Sequence, residues 1–230
     1  MNDIIRIENI SKVYPVGQEC VVALRDVTLN IREGEFCCIV GTSGSGKSTL
    51  LHLIAGLEKP TRGNIIIDGQ FVNKMSENKL ARFRQEHIGF IFQSYNLMPA
   101  LNARDNVALP LVFRGMPKRE RNRRALQMLK NVGLDTHVRH KPTQMSGGQQ
   151  QRVGIARAFV GQPQIVFADE PTGNLDTKTR EDVMRVMTEM SRRGRRTLVM
   201  VTHDIDLSRH ADRVISISDG RIVSITENER

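Results

Sequence analysis

The chain of 230 residues has no tryptophan, two tyrosines and three cysteines. Two of the cysteines, Cys37 and Cys38, are adjacent, so the three give neither a paired disulfide framework nor the spacing of a metal site. We expect all three to be buried as small hydrophobic residues in a reducing compartment. The scarcity of aromatic rings argues against a surface that binds single-stranded nucleic acid by stacking.

Long hydrophobic runs are also lacking, because no stretch of about 18 apolar residues occurs. The sequence therefore predicts no membrane-spanning helix. Its first residues, MNDIIRIENI, carry acidic side chains where a secretory signal would have a basic end and an apolar block. We therefore expect a cytoplasmic protein.

Positive charge is in excess, with a net charge of +9 that is densest in Arg114 to Arg124 and in Arg192 to Arg196. A solvated helix face and a basic turn would account for the two clusters. Contact with anionic membrane lipid or with nucleic acid would account for them as well. The sequence leaves these alternatives open.

The hydrophobic pattern predicts an α/β protein with one domain over residues 1–230. Ile4 to Ile10 and Leu24 to Ile31 alternate apolar and polar residues, which indicates an N-terminal antiparallel β subdomain. Later strands alternate with helices, which is typical of a mostly parallel sheet. Helical periodicity dominates from about 94 to 160, so we expect a helical subdomain there, inserted into an α/β core of about 1–93 and 161–230.

The segment Gly41 to Ser48, GTSGSGKS, matches the phosphate-loop pattern G-x-x-x-x-G-K-[ST]. It lies between the apolar run EFCCIV and the helical stretch LLHLIAGL, which is the context that this loop requires. Backbone N–H groups would surround the phosphates, Lys47 would reach the β- and γ-phosphates, and Ser48 would ligate Mg²⁺. The pattern predicts a P-loop NTPase core with Lys47 among the catalytic residues.

Two carboxylates end another apolar strand, IVFADE. Asp169 is expected to hold the Mg²⁺ shell through water, and Glu170 to face the attacking water as the general base. Two solvated acids at a strand end are the alternative interpretation. A complete phosphate loop in the same chain favours the catalytic one.

Polar residues also end two other strands, His203 in TLVMVTHD and Gln93 in IGFIFQ. Ligands of open α/β sheets bind at the carboxyl ends of the strands. We therefore expect His203 to contact the γ-phosphate as a catalytic residue, and Gln93 to contact Mg²⁺ or water while sensing the helical segment. Each residue taken alone could equally be structural.

A second segment suited to anions, TQMSGGQQQR, follows about a hundred residues after the phosphate loop. Gly147 and Gly148 beside Ser146 would let the backbone approach an anion closely. They lie at the far end of the inserted subdomain, where they cannot easily reach the phosphates on Lys47 of the same chain. A two-fold dimer would solve this, with each nucleotide between the Lys47 loop of one chain and Ser146, Gly147 and Gly148 of the other.

In this order, GTSGSGKST, Gln93, MSGGQ, IVFADE, GNLD and His203 resemble the ATP-binding subunit of an ABC transporter over essentially the whole chain. The resemblance implies ATP and Mg²⁺ as cofactors. Met145 stands where the family usually has leucine before the serine–glycine–glycine–glutamine motif. The implied ATP contacts within one chain are Tyr14, Gly41, Thr42, Ser43, Gly44, Ser45, Gly46, Lys47, Ser48, Thr49, Gln93 and Asp169, with Mg²⁺ on Ser48, Gln93 and Asp169. The implied contacts across the dimer are Ser146, Gly147, Gly148, Gln149 and Asp176.

The role that the resemblance assigns to Tyr14 is stacking on adenine. A flat ring suits a purine face. Phenylalanine at this position should serve nearly as well, since stacking needs no hydroxyl group. From the sequence alone, Tyr14 could equally be a core residue.

The stretches FQSYNLMPALNARDNVALPL and ADEPTGNLD are similar to those of the group that contains MacB, LolD and FtsE, which serves lipoprotein release, macrolide or antimicrobial-peptide export and cell division. This implies an ATPase homodimer that drives a separate permease, docked near Gln93 and Tyr95–Leu111, at the inner face of the cell membrane. One alternative is force transmission without transport. The other is an ABC-type ATPase acting on nucleic acid, which is disfavoured because such proteins typically carry two cassettes or long coiled coils.

Overall fold

The computed structural model describes residues 2–17 and 19–228. The backbone divides into two units, one of Met1–Arg84 with Arg195–Arg230 and one of Gln85–Gly194. The strands are β1 (Asp3–Val16), β2 (Glu19–Arg32), β3 (Phe36–Val40), β4 (Arg62–Ile67), β5 (Gln70–Phe71), β6 (Ile88–Ile91), β7 (Ile165–Asp169), β8 (Thr197–Thr202), β9 (Arg213–Ser218) and β10 (Arg221–Glu227). The α-helices are α1 (Lys47–Ile54), α2 (Glu77–His87), α3 (Ala103–Phe113), α4 (Lys118–Asn131), α5 (Gly147–Phe159) and α6 (Thr177–Arg193).

The N-terminal part of the first unit is an antiparallel sheet in the order β2-β1-β4-β5. Ile5 stands opposite Ile31 of β2 on one side and Ile67 of β4 on the other. All three isoleucines are fully buried, because successive side chains of a strand alternate between the two faces and these share the core face. The predicted antiparallel β subdomain is confirmed.

The first unit also contains three parallel strands, with β3 between β8 and β9. Cys38 of β3 pairs with Met200 of β8 and with Val214 of β9. Every residue of β3 and of β8 is buried, which explains their continuous apolar sequences. Strand β10 adds to β9 in antiparallel orientation. The predicted α/β class with a mostly parallel sheet is confirmed.

The cysteines differ in their surroundings. Cys37 and Cys38 are buried, and burial raises the pKa of the Cys38 thiol to about 12 and that of Cys37 well above its usual range. Both thiols therefore stay protonated and unreactive at neutral pH. The prediction was wrong for Cys20, which is exposed because the first residues of β2 extend beyond the buried part of the sheet.

The second unit combines the parallel pair β6 and β7 with the helices α3, α4, α5 and α6. Helix α3 begins where the Asn102 side chain accepts a hydrogen bond from the Asp105 amide at 2.9 Å. The buried Asn106 side chain bonds both backbone groups of Met98, which ties the preceding segment to the helix. Helices α3, α4 and α5 agree with the helical character expected between 94 and 160, while those two boundaries stay a prediction.

Within residues 2–17 and 19–228, the structure contains no helix that is both long and apolar enough to cross a bilayer.

Candidate active site

The phosphate loop leaves β3 at Val40, and the fold requires glycine at two of its positions. A Cβ atom on Gly41 would collide with the Ile217 carbonyl oxygen and lie 2.7 Å from Ser45 Oγ. Gly46 has a φ of 102°, and a Cβ there would lie 2.6 Å from the Ala23 carbonyl oxygen. A side chain at either position would therefore disrupt the loop.

Helix α1 begins at Lys47, directly after the loop. Its N-cap residue, Gly46, has no side chain that could accept a hydrogen bond from the first turn, and the N-terminus of a helix attracts anions. Lys47 is buried, and its Nζ donates to the Thr42 carbonyl oxygen at 2.8 Å. Ser45 Oγ is also buried and has no hydrogen-bond partner among the described residues. This arrangement suits an anionic ligand with several oxygens.

His203 lies in the same unit as the loop. Val40, the last residue of β3, pairs with Thr202, the last residue of β8, so His203 and Gly41 follow neighbouring strands at one sheet edge. His203 is exposed, and the turn after it is held by the Asp204 amide, which donates to Thr202 Oγ1 at 3.0 Å. The γ-phosphate contact and the catalytic role expected of His203 stay predictions.

Tyr14 is half-buried near the end of β1, so it is not a core residue. Its hydroxyl donates to Glu58 Oε2 at 2.6 Å, and Lys12 Nζ lies over its ring, 4.8 Å from the centroid. Burial and the hydrogen bond to Glu58 raise the pKa of Tyr14, so the hydroxyl stays protonated. Sequence reasoning missed both neighbours, because neither belongs to a recognisable motif.

In the second unit, β7 ends at Asp169, and the backbone changes direction at the next residue. Glu170 has a φ of 43°, the left-handed conformation that side chains other than glycine rarely adopt. The turn is closed by the Gly173 amide, which donates to the Glu170 carbonyl oxygen at 3.1 Å. Eight other described residues that are not glycine share this conformation, so it defines the turn after β7, while the role of Glu170 as general base stays a prediction.

Gln93 contacts the turn that follows Glu170. The Gln93 side chain packs so closely on Gly173 that a Cβ atom added to Gly173 would lie 2.9 Å from Gln93 Nε2. Asn174 Nδ2 donates to the backbone carbonyl oxygen of Gln93 at 3.3 Å. Gln151, fully buried on α5, donates to the Pro171 carbonyl oxygen at 2.6 Å and so supports the same turn. Sequence reasoning missed Gln151, although a glutamine within the apolar repeat of a helix could have indicated a buried polar role.

The serine–glycine–glycine–glutamine motif forms the start of α5. Ser146 is the N-cap: its Oγ accepts from the Gln149 amide at 3.3 Å, while Gln149 Oε1 accepts from the Ser146 amide at 2.9 Å. A Cβ on Gly147 would lie 2.8 Å from Tyr95 Oη, and one on Gly148 would collide with the Thr179 side chain. The two glycines therefore have a packing role within the chain, besides the anion contact that the sequence predicts.

Asp176 is the N-cap of α6. Its carboxylate accepts from the Thr179 amide at 3.1 Å, and this hydrogen bonding lowers the pKa of Asp176. The structure thus assigns Asp176 a local role at the helix start. Its expected place at a dimer interface stays a prediction.

Each unit therefore contains some of the site residues that the sequence predicts. The first unit contains Tyr14, the loop Gly41–Ser48 with Thr49, and His203. The second contains Gln93, Asp169, Glu170, the motif Ser146–Gln149 and Asp176.

The ABC transporter family model matches residues 24–173. An uncharacterized ABC transporter ATP-binding protein of Thermotoga maritima is 46% identical over 98% of this chain and 96% of its own length. The macrolide export ATP-binding/permease protein MacB of Bordetella avium is 46% identical over 96% of this chain, which spans 34% of MacB.

Among solved structures, the dimeric bacterial ABC transporter cassette MJ0796 matches with a TM-score of 0.91 and 45% identity, over 98% of this chain and 99% of that chain. A dimeric post-hydrolysis state of MJ0796, bound to ADP and Pi, matches with a TM-score of 0.91 and 44% identity over the same shares.

Proposed function

This chain belongs to the ABC transporter family of ATP-binding proteins, as the sequence predicted, and we propose that it is the ATP-hydrolysing subunit that drives a separate membrane permease. The chain is an ATPase cassette. The observation that carries the proposal is the loop Gly41–Ser48, in which two positions admit only glycine and the buried Lys47 is folded onto the loop.

The proposed site residues fit a complex of ATP with Mg²⁺. The loop amides and Lys47 bind the phosphates, and His203 contacts the γ-phosphate. The hydroxyl of Ser48, the amide of Gln93 and the carboxylate of Asp169 are oxygen donors, which Mg²⁺ prefers. When bound, the ion neutralises charge that develops on the phosphates. Glu170 accepts the proton of the attacking water.

The proposed active form is a two-fold homodimer with ATP at its interface. The start of α5 in each chain, with Ser146, Gly147 and Gly148, would contact the nucleotide on the partner's Lys47 loop. The N-terminus of a helix attracts anions, which supports this pairing. Asp176 would lie in the turn that crosses the interface. The dimeric structures of MJ0796 support the arrangement.

A groove in the second unit is the proposed docking site for the permease. It has a volume of about 260 Å³, and its lining includes Phe90, Phe92, Leu109, Pro110, Phe113, Arg114 and Arg157. Leu109 and Pro110 of this lining belong to the segment Tyr95–Leu111, for which the sequence predicted docking. Phe113 is 65% exposed and so presents an apolar surface to a partner.

The charges of the groove indicate what kind of segment it accepts. Arg114 donates to the carbonyl oxygens of Gln85 and Gly161, at 2.7 Å each, and Arg157 to that of Tyr95, at 2.8 Å. Burial lowers the pKa of both arginines. In the part of the chain that the structure describes, no carboxylate forms an ion pair with either. An apolar permease segment that carries an acidic residue would therefore be complementary.

Phe113→Asp should weaken permease binding about 30-fold or more, because a central aromatic anchor typically contributes about 2 kcal/mol or more. ATP hydrolysis by the chain without permease should not change. Co-purification of the membrane permease with the tagged subunit measures the effect. Leu126→Asp is the matched control, since Leu126 is an exposed apolar residue of α4 outside the groove. Equal recovery with both variants would locate docking elsewhere.

An anionic membrane surface is a further proposed contact, through the basic residues of α4. The structure reduces their number, since Arg123 and Arg124 each pair with Glu120 at 2.8 Å and lower its pKa to about 2. Arg114 donates to the Gly161 carbonyl oxygen, and Arg121 to that of Met116 at 3.3 Å. We therefore propose Lys118 and Arg119, the first two residues of α4, as the main lipid contacts.

Lys118→Gln with Arg119→Gln should weaken binding to anionic vesicles by about 30-fold at low salt, since each basic residue contributes about 1 kcal/mol near such a surface. Sedimentation with vesicles of graded anionic content measures this. Arg123→Gln with Arg124→Gln is the control and should have the smaller effect. Salt-sensitive binding to duplex DNA that stimulates ATP hydrolysis would instead favour the class of ABC ATPases that act on nucleic acid.

A further inference from the structure

The Tyr14 side chain is held at its hydroxyl end by a residue that follows the helix after the phosphate loop. The hydroxyl donates to Glu58 Oε2 at 2.6 Å. Glu58 lies four residues beyond Ile54, the last residue of α1. This hydroxyl group thus links β1 to the segment after α1.

Lys12 holds the ring from another side. Its Nζ lies 4.8 Å from the ring centroid, 3.2 Å from Glu58 Oε2 and 2.9 Å from the Lys59 carbonyl oxygen, to which it donates. The Lys12 side chain is only 15% exposed, so its position is well defined. A cation over an aromatic face is attracted by the ring electrons, and it occupies that face. A purine can then stack only on the opposite face.

The charges of the cluster are mutually consistent near neutral pH. The hydrogen bond from Tyr14 lowers the pKa of Glu58, with further lowering by Lys12, so Glu58 is an anionic acceptor. His52 Nδ1 lies 3.7 Å from Glu58 Oε1. Burial raises the pKa of Tyr14, which keeps its hydroxyl a donor. The ring therefore has a fixed orientation before any ligand binds.

We propose that Glu58 and Lys12 are positioning residues that hold the Tyr14 ring in the orientation required to stack on the adenine base. This rests on the proposed function, in which Tyr14 contacts the base. A ring that is already ordered loses little side-chain entropy when the base arrives, so more of the stacking energy appears as affinity. Neither residue touches the nucleotide in this proposal.

The anchored hydroxyl changes what is expected of phenylalanine at position 14. Stacking alone would make Tyr14→Phe nearly equivalent to the natural residue. Because the hydroxyl donates to Glu58, phenylalanine keeps the ring and loses this anchor. Tyr14→Phe should therefore bind nucleotide several-fold more weakly, between the natural protein and Tyr14→Ala.

The test compares two probes by calorimetry in the presence of Mg²⁺. ADP carries the base and is not turned over, while inorganic pyrophosphate lacks the base. Tyr14→Ala should weaken ADP binding about 5- to 150-fold, as expected for loss of one stacked base. Glu58→Ala and Lys12→Met should weaken it about 3- to 10-fold, and Glu58→Gln, which can still accept a hydrogen bond, less than Glu58→Ala. Pyrophosphate binding should change less than about twofold in every variant.

Glu77→Gln is the matched control, because Glu77 is paired with Lys59 at 2.8 Å in the same unit and does not contact Tyr14. It should leave both affinities unchanged. Circular dichroism confirms that each variant is folded. If Tyr14→Ala binds ADP normally, Tyr14 does not stack and the premise is wrong.

The remaining outcomes separate the inference from its premise. If Tyr14→Ala weakens ADP binding and Glu58→Ala does not, the ring needs no anchor; the positioning role is then overturned while stacking stands. If Glu58→Ala weakens ADP and pyrophosphate equally, its effect passes through the phosphate loop, which also overturns the positioning role. If Tyr14→Ala and Glu58→Ala both lose affinity for ADP and keep their affinity for pyrophosphate, the positioning role is supported.

Discussion

Glu170→Gln is expected to bind ATP almost as tightly as the natural protein and to hydrolyse it about 10²–10⁴-fold more slowly, the usual cost of losing a general base. Glutamine keeps the shape of the side chain and cannot accept the proton of the attacking water. The proposed phosphate and metal contacts, from Lys47, Ser48 and Asp169, are not altered. The left-handed backbone at Glu170 is equally compatible with glutamine, so the turn after β7 should persist.

The same substitution should trap the dimer. It removes one negative charge beside each γ-phosphate, which relieves repulsion at the closed interface. Bound ATP favours the closed dimer by mass action, and slow hydrolysis leaves it closed. Glu170→Gln should therefore elute as a monomer without nucleotide or with ADP, and as a dimer with ATP.

Size-exclusion chromatography with light scattering, alongside phosphate release, measures both effects. Glu181→Gln is the control, since it removes a carboxylate from α6 of the same unit and should leave turnover near that of the natural protein. Turnover by Glu170→Gln at the natural rate would exclude Glu170 as the base. An inactive variant that stays monomeric with ATP would leave the base assignment standing and count against an ATP site built from two chains, unless closure needs the permease.

The second large effect is recovery of activity from two inactive variants. Lys47→Ala should inactivate the site on its own chain, since Lys47 is the only lysine of the phosphate loop. Ser146→Arg should inactivate the partner's site, because a bulky cation replaces the N-cap at the start of α5. In a mixed dimer both changes fall on one site and the other is intact. Equal amounts should restore about a quarter of the natural rate, for random association and independent sites.

ATP hydrolysis measured across mixing ratios tests this, with subunit exchange followed by two distinguishable tags. Ser146→Arg both removes the helix cap and adds a bulky cation. Ser146→Ala separates these two effects, because it removes only the cap, at a typical cost of about 1 kcal/mol of helix stability. Lys47→Ala alone and Ser146→Arg alone should remain inactive at all concentrations. A flat, inactive response at every ratio, with exchange verified, would argue against sites shared between two chains.

Much of the fold could be predicted because its signals are local. The phosphate loop is contiguous and is identified by its own pattern, although the clashes that demand glycine at Gly41 and Gly46 are with the distant Ile217 and Ala23 carbonyl oxygens. The buried strands β3 and β8 are continuous apolar runs, which burial on both faces requires. Likewise, apolar and polar residues alternate in the first part of β1, because only one face of its sheet meets the core. The spacing of apolar residues and the composition of a short segment are enough to predict such features, because no distant residue is needed.

Pairings between distant residues could not be predicted in this way. Tyr14 and Glu58 are 44 residues apart, and the sequence contains no pattern that relates them. The contacts of Gly147 with Tyr95 and of Gly148 with Thr179 depend on how two helices and a loop pack. In the sequence, Arg114 belongs to a basic cluster, but its guanidinium group donates to the backbone carbonyl oxygens of Gln85 and Gly161. Charge counted along a sequence does not distinguish an arginine in solvent from one that closes a loop.

By itself, therefore, the sequence determined the fold class, the ATPase loop, the membership of the ABC transporter family and the exposed or buried character of most strands, since each depends on neighbouring residues along the chain. Only the tertiary structure decided the left-handed turn at Glu170, the support of that turn by Gln151, the anchoring of Tyr14 and the exposure of Cys20. These depend on which side chains meet after folding. Close packing selects such partners by shape and by hydrogen-bond geometry, and neither is recorded in the order of the residues.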